Sequence, residues 1–189
     1  MRIPEKGFTI LEITVSMFLF TFVIILVGSS FIIAQKAYNK GATENELTQN
    51  IRVCLDRITR EVRQSVQIIT LLPAVATDPE NPPSNEIIFQ DGHNISQITY
   101  LRYYIDGSNI KRKHYAFYFD DDPAVYVTHN STDAYGNPPS EISLSDDIIG
   151  EYAEDMKFWG TDGHIFLSLS LTKNQKTIKI DTSIYSRNE

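Results

Sequence analysis

The chain has 189 residues, 17 Lys plus Arg against 24 Asp plus Glu, and a formal charge of −7, which excludes a broad nucleic-acid surface because phosphate binding needs clustered cations. Its length suits one helical anchor and one modest folded region rather than several domains. A single cysteine, Cys54, excludes any intramolecular disulfide.

The chain opens with a short polar stretch, Met1 to Gly7, followed at once by an apolar run from Phe8 to Ala34 in which only Glu12 is charged. From Ile13 to Gln35 there are 23 residues without a charge. At about 1.5 Å per residue they make roughly 34 Å of helix, and a hydrocarbon core is about 30 Å thick, so the segment is long enough to span. A secretory signal has a shorter core and a small-residue cleavage site, and no Ala-x-Ala follows this run, since Ala34 and Ala37 are three apart. Arg2 and Lys6 before the span balance Lys36 and Lys40 after it, so charge does not set the orientation. Glu12 sits where a carboxylate is costly, so it calls for a partner or for a place near the membrane surface.

Beyond the span the helix continues. Apolar residues recur at Leu47, Ile51, Cys54, Leu55, Ile58, Val62, Val66 and Ile69, in steps of three or four that define one buried face. Cys54 on that face is a packing residue. Arg52, Asp56, Arg57, Arg60, Glu61 and Arg63 fill the other sides, with exposed pairs available between Arg57 and Glu61 and between Asp56 and Arg60. Gly41, between the lipid-like and amphipathic halves, is a point for a bend or local melting, or simply one tolerated glycine.

Pro73, Pro79, Pro82 and Pro83 lie among Asp, Asn and Ser and mark a loop over 73–85. A β-rich region follows. Glu86–Gln90 reads as a strand, and Ile98–Ile105 and Ile110–Phe119 flank the turn Asp106-Gly107-Ser108-Asn109. Residues 120–141, with Asp120-Asp121-Asp122-Pro123 and Tyr135-Gly136-Asn137-Pro138-Pro139, read as irregular. Asp155–Trp159 is a further strand that turns at Thr161-Asp162-Gly163. Then Ile165, Leu167, Leu169 and Leu171 alternate with Ser168, Ser170 and Thr172, and Ile178, Ile180 and Ile184 with Lys179, Asp181 and Ser183. Period two means one buried and one wet face. The fold class is α+β: a long amino-terminal helix, membrane-spanning then amphipathic, packed on an antiparallel meander.

No catalytic constellation emerges. His93, His114, His129 and His164 are scattered, and no phosphate-binding glycine loop is present. Asp120, Asp121 and Asp122 offer oxygens to Ca²⁺, but three consecutive Asp cannot point one way, and a solvated acidic turn is favoured. Lys111-Arg112-Lys113-His114 reads as decoration of a solvated strand or turn. Asn94-Ile95-Ser96 and Asn130-Ser131-Thr132 fit the glycosylation pattern and read as ordinary loop residues. The Tyr and Phe residues between 100 and 126 read as core and cross-strand pairs rather than a ligand platform.

The run Lys6-Gly7-Phe8-Thr9-Ile10-Leu11-Glu12 resembles the class III signal of type IV pilins and type II secretion pseudopilins. The resemblance implies a cut between Gly7 and Phe8 by a prepilin peptidase at the cytoplasmic face. It implies methylation of the new α-amine of Phe8, and a meeting of Glu12 with the α-amine of a neighbouring subunit. It divides the chain into a leader (1–7), a transmembrane and filament-core helix (8–35), an amphipathic helix (36–72) and a β-rich extracytoplasmic domain (73–189). The stretch Leu55-Asp56-Arg57-Ile58-Thr59-Arg60-Glu61-Val62-Arg63-Gln64 and the close Ile180 to Asn188 are similar to the PilW and J-type group of minor pilins and pseudopilins.

The expected function is therefore a minor, tip-associated subunit that helps initiate or cap a filament. Its expected partners are other pilins, the prepilin peptidase and a membrane assembly platform, with no nucleic acid, no cofactor and no enzymatic activity. The expected place is the inner or cytoplasmic membrane, amino end inside. A type II secretion pseudopilin is the nearest variant. An uncleaved bitopic protein with an extracytoplasmic binding domain, and a secreted enzyme released near residue 34, are the rivals from other classes.

Overall fold

The computed structural model describes Gly7, residues 9–93, residues 97–161 and residues 163–186. One helix, α1 (Ile10–Arg63), precedes nine strands: β1 (Gln67–Ile68), β2 (Ile87–Gln90), β3 (Tyr100–Asp106), β4 (Asn109–Phe119), β5 (Asp122–Val127), β6 (Ser140–Gly150), β7 (Ala153–Thr161), β8 (His164–Lys173) and β9 (Lys176–Tyr185). The chain forms two compact units, Met1–Glu44 and Asn45–Glu189.

In the first unit the helix is unbroken through Gly41, so no local melting occurs there. Most of its Ser and Thr hydroxyls are satisfied within the helix. Thr14 Oγ1 donates to the Leu11 carbonyl at 2.9 Å, Thr21 Oγ1 to Met17 at 2.8 Å, and Ser30 Oγ to Leu26 at 2.8 Å. In an apolar surrounding such back-bonding removes the penalty of a bare hydroxyl.

In the second unit all strand pairs are antiparallel, and the fold is α+β, with α1 packed against the sheets. One sheet runs β1-β2-β3-β4-β5 with β6 also on β4, and the other runs β7-β8-β9. β6 pairs with β4 from Ile110 to Tyr118, so β5, which pairs at Phe117–Phe119, must lie on the same edge of β4 as β3. The core joins Leu47, Ile51, Cys54, Ile58 and Val62 of the helix to Ile87, Phe89, Leu101 and Tyr103 of the first sheet and Phe158, Leu167 and Leu169 of the second. The helical stripe is therefore the packing face that its spacing predicts. Burial pushes the Cys54 thiol up to about 11, and the thiol faces the Ile149 carbonyl at 3.3 Å, as befits a packing residue.

Three differences from the expected pattern have physical reasons. The helix ends at Arg63, so Val66 and Ile69 do not extend its apolar face. The Val66 amide bonds the Gln90 carbonyl at 3.0 Å and Ile69 bonds Ile88 at 2.8 Å, drawing this segment alongside β2. Residues 120–141 are not wholly irregular: Asp120 and Asp121 form a turn, Asp122 begins β5, and Ser140 begins β6. β5 and most of β6 are exposed on both faces, so burial leaves no alternation to read. Pro123 sits near the start of β5, a short edge segment, where a missing N–H is tolerated. Finally, Ser168 and Ser170, expected on a wet face, are buried. They are small residues on the central strand, flanked in register by the longer side chains of Lys157, Asp181, Asp155 and Lys179.

Candidate functional site

At the amino end Gly7 is exposed, while Phe8, the expected first mature residue, lies outside the described residues. Thr9 and Glu12 form a reciprocal cap on α1. The Thr9 amide and hydroxyl donate to Glu12 Oε2 at 2.9 and 3.0 Å, and the Glu12 amide donates to Thr9 Oγ1 at 3.3 Å. This is a capping box, Thr-x-x-Glu, legible in the sequence but absent from the expectations for Glu12. It also places a carboxylate at the positive end of the helix dipole.

Beyond the cap, the large apolar side chains from Ile10 to Ile33 are between 50% and 83% exposed. An 18-residue window of this helix has a mean hydropathy of 2.6 with none of it buried. It is the one described helix long and apolar enough to cross a membrane, which is compatible with a single-pass membrane protein. Such a surface needs lipid or other apolar helices around it.

In the β-rich unit, Glu61 departs from expectation. Its side chain is not an exposed ion-pair partner but is 7% exposed against the sheet. It accepts from the Tyr103 hydroxyl at 2.6 Å and from Arg112 Nε at 2.9 Å, with Arg57 at 3.4 Å. Burial pushes the Tyr103 phenol far up, and the Glu61 charge adds to it. Desolvation works against the Arg112 guanidinium, yet its bond to Glu61 holds its pKa above the ordinary value. The signal was present in the spacing: Glu61 stands seven after Cys54 and fourteen after Leu47, on the buried face itself.

The basic run 111–114 splits by strand alternation. Arg112 turns inward to Glu61, while Lys111 pairs with Asp106 at 2.8 Å and Lys113 with Glu141 at 2.5 Å. It is thus a set of structural ion pairs rather than one solvated patch.

Asp120 and Asp121 occupy the β4–β5 turn, and Asp122 opens β5 beside Phe119. The first two border a depression shared with Asp133, whose carboxylate is held low by the amides of Asn137 and Tyr135. Among the described residues no group of three or more His, Cys, Asp and Glu is placed to hold a metal ion. Asn130-Ser131-Thr132 lies in the loop after β5, and Asn94-Ile95-Ser96 lies outside the described residues.

The sequence matches no protein-family model and no curated protein.

Proposed function

We propose that this chain is a minor pilin or pseudopilin, a structural subunit that is processed by a prepilin peptidase and helps initiate or cap a type IV pilus or type II secretion-type filament. The observation that carries the reading is the run Gly7-Phe8-Thr9-Ile10-Leu11-Glu12 at the start of a helix whose apolar surface is left uncovered. In this reading the leader is removed before Phe8, and the new amine is methylated. The chain waits in the inner or cytoplasmic membrane, its β-rich domain outside. The apolar helix then passes from lipid into a bundle of like helices, an exchange of one apolar surrounding for another. Glu12 meets the amine of a neighbouring subunit and fixes the stagger between them. The role is assembly, not catalysis, and the partners are other pilins, the peptidase and the assembly platform.

The capping box favours one rival. Because Thr9 already engages Glu12, an uncleaved bitopic protein with an extracytoplasmic binding domain would need no partner for that carboxylate. Two substitutions separate the roles. Glu12→Gln keeps a capping acceptor and removes the charge, while Thr9→Val removes the capping hydroxyl and keeps the charge. With the cognate system co-expressed, Glu12→Gln is expected to cut incorporation into sheared filaments by about tenfold or more, as loss of a charge-assisted contact implies, and Thr9→Val to leave it near wild type. Equal incorporation of Glu12→Gln and wild type would remove the assembly role from Glu12.

A further inference from the structure

We propose that the free edge of β9 pairs with the same edge of a second copy of this chain, antiparallel and about a two-fold axis at Ile180. The contact uses neither the leader nor the apolar helix, so it is independent of the filament reading. β9 ends its sheet and pairs only with β8. Among the described residues, no backbone group outside β8 bonds to residues 177–183. Natural sheet edges are blunted by shortness, proline, bulges or cover. Here β1 has two residues, β5 carries Pro123, β6 is interrupted by register shifts, and β7 is bridged to Ser84. β9 has ten residues, no proline and an unbroken register. Its core-side residues Ile178 and Ile180 stay half-buried, while Leu169 and Leu171, opposite them on β8, are 0% exposed. A strand alongside would complete their cover.

The direction of the backbone groups fixes which residues can pair. The Ser186 amide donates to the Gly163 carbonyl at 2.7 Å, continuing the register that sets Tyr185 opposite His164. In an antiparallel ladder successive residues turn their amides and carbonyls alternately toward and away from the partner strand. Ser186 and the even-numbered residues of β9 therefore face β8. Thr177, Lys179, Asp181 and Ser183 direct their amides and carbonyls to the open edge.

With the axis at Ile180, Lys179 lies opposite Asp181 of the second copy, Asp181 opposite its Lys179, and Thr177 opposite its Ser183. All of these are outward-directed positions, so the ladder bonds close. Wet side chains meet wet ones, and Ile180 meets Ile180 on the core side. Opposite charges directly across a ladder stabilise it, and like charges destabilise it. A slip of two residues in either direction puts Lys179 on Lys179 or Asp181 on Asp181, so charge selects this register. The strand that this edge fits carries a cation, an apolar residue and an acid in that order, which is its own Lys179-Ile180-Asp181. Both charges are available for the exchange. They approach each other at 3.6 Å along the strand, with side chains 61% and 62% exposed, and a pair so open contributes little. The shared surface is isologous, so it closes as a dimer.

The test is sedimentation velocity of the full chain in detergent micelles, with a charge swap on the strand. Lys179→Glu and Asp181→Lys each set like charges opposite one another twice, and each is expected to weaken dimerisation about tenfold or more. The double swap restores both opposite pairs and is expected to return to within about threefold of the parent. Disulfide capture reads the register. Ile180→Cys sets two thiols across the axis at a separation that a disulfide spans, while Ile178→Cys holds them about 13 Å apart along the strands. Cys54 is buried and stays out of the reaction. Ile180→Cys is expected to cross-link and Ile178→Cys to remain uncoupled. The proposal is overturned by a monomer at every concentration, by a dimer indifferent to the single swaps, as association through the apolar helices would give, by a double swap that does not recover, or by equal cross-linking of the two cysteine variants.

Discussion

Arg112→Leu is expected to destabilise the β-rich unit by about 3 kcal/mol, at the low end for a broken buried ion pair because the Arg112 side chain is 13% exposed. The variant leaves Glu61 buried with Tyr103 and the more distant Arg57 as its companions among the described residues. The informative comparison is Glu61→Leu with Arg112→Leu and Tyr103→Phe together. That triple change removes both charges and the phenol that would lose its acceptor, and it is expected to stay within about 1 kcal/mol of the parent. Urea unfolding followed by Trp159, the single tryptophan, reads both. If the triple variant were as unstable as Arg112→Leu, the loss would come from packing rather than from an unpaired charge.

Gly160→Ala carries the second large effect. Gly160 lies in β7 with φ of +139°, a region all but closed to side chains, and an added Cβ would stand 2.0 Å from the His164 carbonyl oxygen. That oxygen belongs to the strand paired with β7, where Gly160 lies opposite Ile165, so it cannot move alone. A destabilisation of about 3 kcal/mol or more is expected, from backbone strain of about 1–3 kcal/mol with the clash added. Gly136→Ala is the control. Its φ of +85° carries the backbone strain, but its surroundings are open, so a loss of about 1–2 kcal/mol is expected. Similar midpoints for the two variants, read from Trp159, would show that β7 and β8 can separate to admit a methyl group.

Long periodic segments were legible in the sequence, while the elements that depend on their neighbours were not. Leu47, Ile51, Cys54, Ile58 and Val62 mark a helix face through their spacing alone, and Leu167, Leu169 and Leu171 mark a strand face in the same way. Val66 and Ile69 continue the helical rhythm, yet β2 captures their backbone, a contact that no local pattern announces. β6 escaped because Ile142, Leu144 and Ile148 alternate or pair on a strand that is largely uncovered, and its existence depends on the long edge of β4. Glu61 escaped for a different reason. Its charge argued for water while its spacing argued for the core, and the distant Arg112 made the core acceptable. At the amino end the capping box was fully local, Thr9 and Glu12 three apart.

The central claim, that this is a prepilin-peptidase substrate whose apolar helix enters a filament, is tested most directly by the amino terminus itself. The measurement is intact-mass and amino-terminal analysis of the membrane-extracted chain after co-expression with a prepilin peptidase, beside Gly7→Val. The account expects a mature chain that begins at a methylated Phe8 and the full-length chain in Gly7→Val. A wild-type chain that still begins at Met1, or that begins near residue 35, would contradict it and return the apolar helix to a plain anchor or a cleaved secretory signal.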